Sequence, residues 1–221
     1  MNNSGIKIEY VGHSCFLITN SKNQSVLIDP FHSEPGQPQP LKQANVVLIS
    51  HNHTDHNNLK MVMGASLIIN GASYNKVNSF EIQGFLADHG HINNKWLGMV
   101  VCYKIQTDDL SILHLSDMAV VPDKAMVEAF GNVDILMIPC GGHFTLNASQ
   151  ATETVNLINP SVSIPMHYAS AYTDRNKYPI STANEFIEQF HQVKHIRQRE
   201  ITITKDVLPP ENSVWVMTPE V

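Results

Sequence analysis

The sequence predicts a layered α/β fold, and three observations carry that expectation. Strand-like segments come first and then alternate with helical ones. Residues 46–49 are a continuous apolar run, the pattern of a strand buried on both faces, and 134–138 and 162–164 read as buried strands as well. The 221 residues are 43% hydrophobic, enough for one substantial core. Stacked sheets covered by helices accommodate such a chain, and residues 1–221 are expected to form a single domain.

The elements follow in order. Ile6, Ile8 and Tyr10 alternate with polar residues as a half-buried strand does, and strands at 15–19 and 26–28 are separated by a turn at 20–24. A loop rich in Pro and Gly, 29–40, is expected at a rim. After the buried strand 46–49 comes a short helix over 55–63 and a second buried strand at 67–69. Residues 98–107 and 110–115 read as a hairpin about Asp108-Asp109. A helix over 122–130 has Pro122 at its start. Buried strands at 134–138 and 162–164 flank a helix over 148–158 that aligns Ala151, Val155 and Ile158. An amphipathic helix over 182–191 and strands at 201–203 and 214–216 complete the chain.

Composition excludes several classes. No run of eighteen apolar residues exists, so neither a membrane helix nor a membrane partner is expected. Met1 to Gly5 lack a basic segment leading into an apolar one, which makes a cytoplasmic location the expectation. Cys15, Cys102 and Cys140 are odd in number and widely spaced, so no disulfide framework is expected. Net charge is −6, and the cations are scattered apart from Lys194, Arg197 and Arg199; nucleic acid is therefore not expected as a partner. A small-molecule substrate is, and a homo-oligomer is left open.

The 12 histidines matter for their placement. His51-Asn52-His53-Thr54-Asp55-His56 puts four donors in six residues at the end of a buried strand. Side chains two apart on an extended segment share a side, so His51 and His53 can grip one ion. Asp55 and His56, where the chain begins to coil, can turn toward a second. Imidazole suits zinc, iron or manganese, and the carboxylate extends the range toward harder ions.

The HxHxDH pattern after a buried strand resembles the signature of the metallo-β-lactamase superfamily. That resemblance implies further ligands: His89 in Ala87-Asp88-His89-Gly90, Asp117 in His114-Leu115-Ser116-Asp117-Met118, and His167 in Pro165-Met166-His167-Tyr168. His91 is a rival to His89, and Ser116 and Met118 replace the usual neighbours of the aspartate. Gly12-His13-Ser14-Cys15-Phe16, Ile28-Asp29-Pro30, the stretch from Ile138 to Thr145, and Pro165 to Tyr168 together resemble small metal-dependent hydrolases near the ascorbate-phosphate lactonase (UlaG-like) branch. The resemblance implies a four-layer αββα sandwich with the site along one edge of the sheets. It implies two divalent metal ions, zinc first, with manganese or iron as alternatives. His51, His53 and His89 would hold one, Asp55, His56 and His167 the other, and Asp117 would bridge them. The implied chemistry is attack by a metal-bound hydroxide on an ester, lactone or phosphodiester, with Asp55 as the catalytic carboxylate. A non-catalytic metal or ligand sensor, a nuclease-type phosphodiesterase and a di-iron redox centre are the other readings.

His13 and His143 lie beside glycines, where backbone approaches a ligand closely, and are candidates for substrate binding. Support of a ligand from behind and proton donation are the alternatives. Asp29 is expected to buttress a metal-ligating histidine. His32, His114, His191 and His195 carry no motif, and Cys140 is read as a packing residue.

Overall fold

The computed structural model describes residues 5–32 and 40–219. Part of the expected rim loop, 33–39, lies outside them. Among the described residues no helix is long and apolar enough to cross a membrane.

Two sheets dominate. In the first, the order is Glu200–Ile203, Ile6–Gly12, Cys15–Thr19, Ser25–Ile28, Val46–Leu48 and Leu67–Ile69. Its early pairs are antiparallel, whereas Ser25–Ile28, Val46–Leu48 and Leu67–Ile69 run parallel. The second is ordered Val193–Ile196, Ser213–Met217, Val162–Met166, Ile135–Pro139, Leu110–His114, Met99–Thr107, Phe80–Asp88 and Tyr74–Val77. Its five strands from Val193–Ile196 to Leu110–His114 are parallel to their neighbours, and the rest are antiparallel.

Apolar alternation explains the stacking. Ile6, Ile8, Phe16, Ile18, Val26 and Ile28 of the first sheet meet Ile82, Tyr103, Ile105, Ile112, Met137 and Ile164 of the second in one buried cluster. On the far face of the second sheet Leu113, Leu136 and Ile138 pack against Ala151, Val155 and Ile158 of the helix Ala148–Ile158. Each fully buried aliphatic side chain of this kind stabilises by about 1.5–3 kcal/mol. The outer face of the first sheet is covered more thinly, by Phe31, Ala44 and Met61 over Val11, Cys15 and Leu27. This is the layered mixed α/β sandwich that the sequence predicts.

Three local expectations are corrected. Residues 55–63 form no α-helix; only the 3-10 turn Leu59–Met61 and the short strand Val62–Met63 occur there. Asn58 explains this, since its backbone N–H donates to Pro30 O at 2.7 Å and its side chain to Phe31 O at 3.0 Å. Those bonds to the neighbouring loop replace intrahelical ones. The helix expected over 182–191 is reduced to Asn184–Ile187, followed by a strand, Val193–Ile196, whose short length hid it. Strand Leu67–Ile69 is an edge rather than a buried strand, with Ile68 47% exposed. Phe80–Asp88 was not anticipated, although Phe80 and Ile82 alternate with Glu81 and Gln83.

Elsewhere the match is close. The hairpin is Met99–Thr107 and Leu110–His114, and Asp108 and Asp109 both take positive φ at its turn. Helix Lys124–Phe130 is capped by Asp123, whose side chain accepts from the Met126 N–H.

Candidate metal centre

Three parallel strands deliver a donor residue just beyond their carboxyl ends. His51 follows Val46–Leu48, Asp117 follows Leu110–His114, and His167 follows Val162–Met166. His89 directly follows Phe80–Asp88, and His13 sits in the turn between Ile6–Gly12 and Cys15–Thr19. Sheet stacking therefore brings five distant segments to one edge.

Asp117 is the hub. Its Oδ2 lies 3.1 Å from His56 Nε2, 3.3 Å from His167 Nε2, and 3.8 Å from both His51 Nε2 and His89 Nε2. His53 Nδ1 is 2.9 Å from His51 Nε2 and 3.3 Å from His89 Nε2. Asp55 Oδ2 is 3.1 Å from His13 Nε2 and 3.8 Å from His56 Nε2. The donor atoms fall into two groups joined by a third: His51, His53 and His89; His13, Asp55, His56 and His167; and His51, His56 and Asp117.

The seven residues expected as ligands are thus brought together, and His13 joins them as an eighth. His13 is buried in the cavity floor, with its ring centroid 4.2 Å from that of His167. His143 does not join. It is exposed with its ring against Phe144, and Phe144, not His143, lines the cavity. Its turn is local: the Phe144 N–H donates to Gly142 O at 2.7 Å, and the His143 side chain is left exposed. His91, the rival to His89, is exposed on a two-stranded ribbon and lies in none of the donor groups.

The supporting bonds set tautomers. Asp29 is fully buried; Oδ1 accepts from the Ser50 N–H at 2.8 Å and Oδ2 from Ser50 Oγ at 2.7 Å. Oδ2 also lies 3.0 Å from His56 Nδ1. A carboxylate only accepts, so Nδ1 carries the hydrogen and Nε2 presents its lone pair to the centre. Ser50 Oγ, having donated to Asp29, accepts from His51 Nδ1 at 2.9 Å and orients that ring in the same way. His114, which has no sequence motif, is a buried brace. Its Nε2–H donates to Ser14 O at 2.8 Å and its Nδ1 accepts from the Ser116 N–H at 3.1 Å, tying the His13 turn to the Asp117 turn. Only tertiary packing reveals this role.

The backbone is held in costly conformations here. His13, Asp29, Ser116 and His167 all have positive φ, between 46° and 54°. Each costs about 1 kcal/mol or more and must be over-determined by its surroundings. The His13 carbonyl, for example, accepts from Tyr10 Oη at 2.9 Å and from the His167 N–H at 3.0 Å.

Electrostatics favour a cation. Burial works to lower His56, but Asp117, Asp55 and Asp29 overcome it and raise its pKa well above the usual range. Burial works to raise Asp117, yet His167 and His56 hold it well below the ordinary carboxylate value. Asp55 is likewise held low against its burial, by His56 and His13. His51 is lowered to about 3 by burial and then by His56, and His13 to about 4 by burial and then by His167. His56 Nε2 and Asp117 Oδ1 are buried without a hydrogen-bond partner among the described residues. Orphaned donor atoms inside a set of converging imidazoles and carboxylates fit divalent metal. Cys140 does not contribute; burial pushes its thiol well above the usual range, in keeping with packing.

The comparisons agree with this geometry. Residues 7–167 match the β-lactamase superfamily domain, and the chain belongs to that family. A UPF0173 metal-dependent hydrolase of Pyrococcus furiosus is 30% identical over 192 residues, covering 74% of this chain and 84% of its own. Its counterpart in Pyrococcus horikoshii is 29% identical over 195 residues, with the same coverages. Among solved structures, a Thermotoga maritima protein assigned to the Zn-dependent hydrolases of the metallo-β-lactamase superfamily superposes with a TM-score of 0.79 at 27% identity, covering 96% of this chain and 98% of its own. A metallo-hydrolase of Ignicoccus hospitalis shares the fold at a TM-score of 0.71 and 21% identity, covering 99% and 97%.

Proposed function

We propose that this protein is a metal-dependent hydrolase that uses two divalent ions to cleave an ester, lactone or phosphodiester. The observation that carries the reading is the position of Asp117 Oδ2 within 3.8 Å of four histidine nitrogens drawn from both donor groups. One carboxylate oxygen at the junction of two donor sets is what a shared ligand requires. His51, His53 and His89 would hold one ion, and Asp55, His56 and His167 the other. Five imidazoles with two carboxylates suit zinc first, with manganese or iron compatible.

Such a pair supplies Lewis acidity and a water ionised near neutral pH. The chain supplies the rest. Asp55 is half-exposed at the cavity and can accept a proton from the attacking water and pass it to the leaving oxygen. His13 beside it restricts the carboxylate to one orientation. Asp29 and Ser50 keep His56 and His51 aimed inward. The site opens into a cavity of about 360 Å³, within the range of small-molecule sites.

Elemental analysis of reconstituted protein should approach two ions per chain, and Asp117→Ala should lose the second. Saturation of the unaltered chain at one ion would sink the two-metal reading. Full loading and full rate in Asp117→Ala would remove the shared-ligand assignment.

A further inference from the structure

Above the donor cluster the cavity changes character. Its floor includes His13, Asp55, Asp117 and His167, whereas its walls include Leu97, Phe144, Tyr178 and Ile180. The four wall residues come from three separate segments: the turn after the ribbon strand Lys95–Trp96, the loop before helix Ala148–Ile158, and the loop after His167. Ile180 is buried, but Leu97, Phe144 and Tyr178 remain half-exposed. An occupant that covers them removes apolar surface from water.

No Lys or Arg lines this cavity. The chain's undescribed segments contain none either, so every Lys and Arg of the sequence is placed. Arg175 and Lys177 are the cations in the loop that carries Tyr178; both are exposed, and Lys177 Nζ sits 5.1 Å from the centroid of the Tyr178 ring. The remaining polar lining includes the uncharged Asn52, Thr54 and Thr173. Charge is thus confined to the floor.

From this contrast we propose that the substrate is an uncharged ester or lactone whose carbonyl lies over the donor cluster and whose aliphatic or aromatic arm packs against Leu97, Phe144, Tyr178 and Ile180. This rests on the hydrolase reading above. Water adds to the carbonyl carbon, the acyl C–O bond breaks, and the alkoxy oxygen leaves with a proton from that water, giving an acid and an alcohol from an ester or one hydroxy acid from a lactone. An anionic arm laid along this wall would surrender its hydration with no Lys or Arg in the lining to replace it. A phosphorylated arm, such as the resemblance to ascorbate-phosphate lactonases implies, is disfavoured on that ground.

The test separates the cavity from the chemistry. Binding of N-butyl-, N-hexyl- and N-octylacetamide, which are uncharged and resist hydrolysis, is measured by calorimetry on the zinc-reconstituted full chain. Kd should tighten about fourfold per added methylene until the cavity is filled. Phe144→Ala and Leu97→Ser should each flatten that dependence, and 6-acetamidohexanoate should bind at least tenfold more weakly than N-hexylacetamide. A Kd independent of chain length, or tighter binding of the carboxylate, would overturn the proposal. Turnover is measured in parallel on alkyl esters, alkyl lactones and phosphodiesters. Rising kcat/KM with arm length among the esters or lactones is the expected result. Absence of turnover across all three classes would instead remove the hydrolase reading on which the carbonyl assignment rests, while the Kd series still decides what the walls accept.

Discussion

At the scale of single residues, Asp55 and His13 show how far local sequence reaches. Asp55 stands directly before His56, so any path that aims one at an ion pair brings the other near it. Its Oδ2 meets His13 Nε2 at 3.1 Å, a partner 42 positions earlier. Asp55→Asn keeps size and one ligating oxygen but cannot take up a proton. With metal in excess, the variant should lose activity on the order of 10²-fold or more, the scale of general acid–base catalysis. A fully loaded variant that turns over near the normal rate would reduce Asp55 to a ligand. Asp29 was legible as a support because it closes Ile28-Asp29-Pro30 after a strand, yet its partners Ser50 and His56 emerge only from the parallel pairing of Ser25–Ile28 with Val46–Leu48. His143 had the same glycine neighbourhood as His13 and points outward. Neighbouring residue types do not fix the direction of a side chain in a turn.

At the scale of elements, strong periodicity was readable and short elements were not. Helix Ala148–Ile158 has the boundaries expected, since a capping box encloses its start: Asn147 accepts from the Gln150 N–H at 2.9 Å and Gln150 Oε1 from the Asn147 N–H at 3.0 Å. Asn147→Ala should cost about 1 kcal/mol. Thermal denaturation should show a Tm lower by about 2–4 °C, with metal content unchanged; an unaltered Tm would mean that the cap contributes nothing. The loop pair beside the site is more sensitive. A Cβ added at Gly141 would lie 2.2 Å from His167 O, so the two loops can touch only where residue 141 has no side chain. Gly141→Ala should push the His167 turn away from Asp117 and cost roughly 1–3 kcal/mol. Loss of bound metal together with a lowered Tm is the expected signature, and full metal occupancy would argue that the loop yields without moving His167. The short strands Val193–Ile196 and Tyr74–Val77 escaped notice because four residues of mixed polarity carry too little periodic signal.

At the scale of the whole molecule, the site is a place where stability has been exchanged for function. Asp29, Asp55 and Asp117 surround His56, and like charges so close repel unless a cation stands among them. Metal bound to the folded chain alone stabilises it by about 4 kcal/mol at a free concentration a thousandfold above Kd. Chelation should therefore lower Tm on the order of 10 °C for a chain of this length, reversibly on adding zinc back. A Tm indifferent to chelator would contradict a metal held by residues this central to the fold.

The sequence by itself determined the layered fold, because apolar runs and alternation dictate which faces must be buried whatever the details of packing. It also determined that His51, His53, Asp55 and His56 lie close together, since they fall within six residues of chain. His89, Asp117 and His167 followed from resemblance to a known family, not from spacing. Only the tertiary structure decided that His13 joins the donor cluster, that His143 does not, and that His114 ties two site turns together. It alone assembled Leu97, Phe144, Tyr178 and Ile180 into one apolar wall. For His13, His114 and the wall the physical reason is the same: these contacts join segments far apart in the chain, and their geometry is set by how two sheets stack and where their strands end; His143 is directed by its own turn, against its neighbour Phe144.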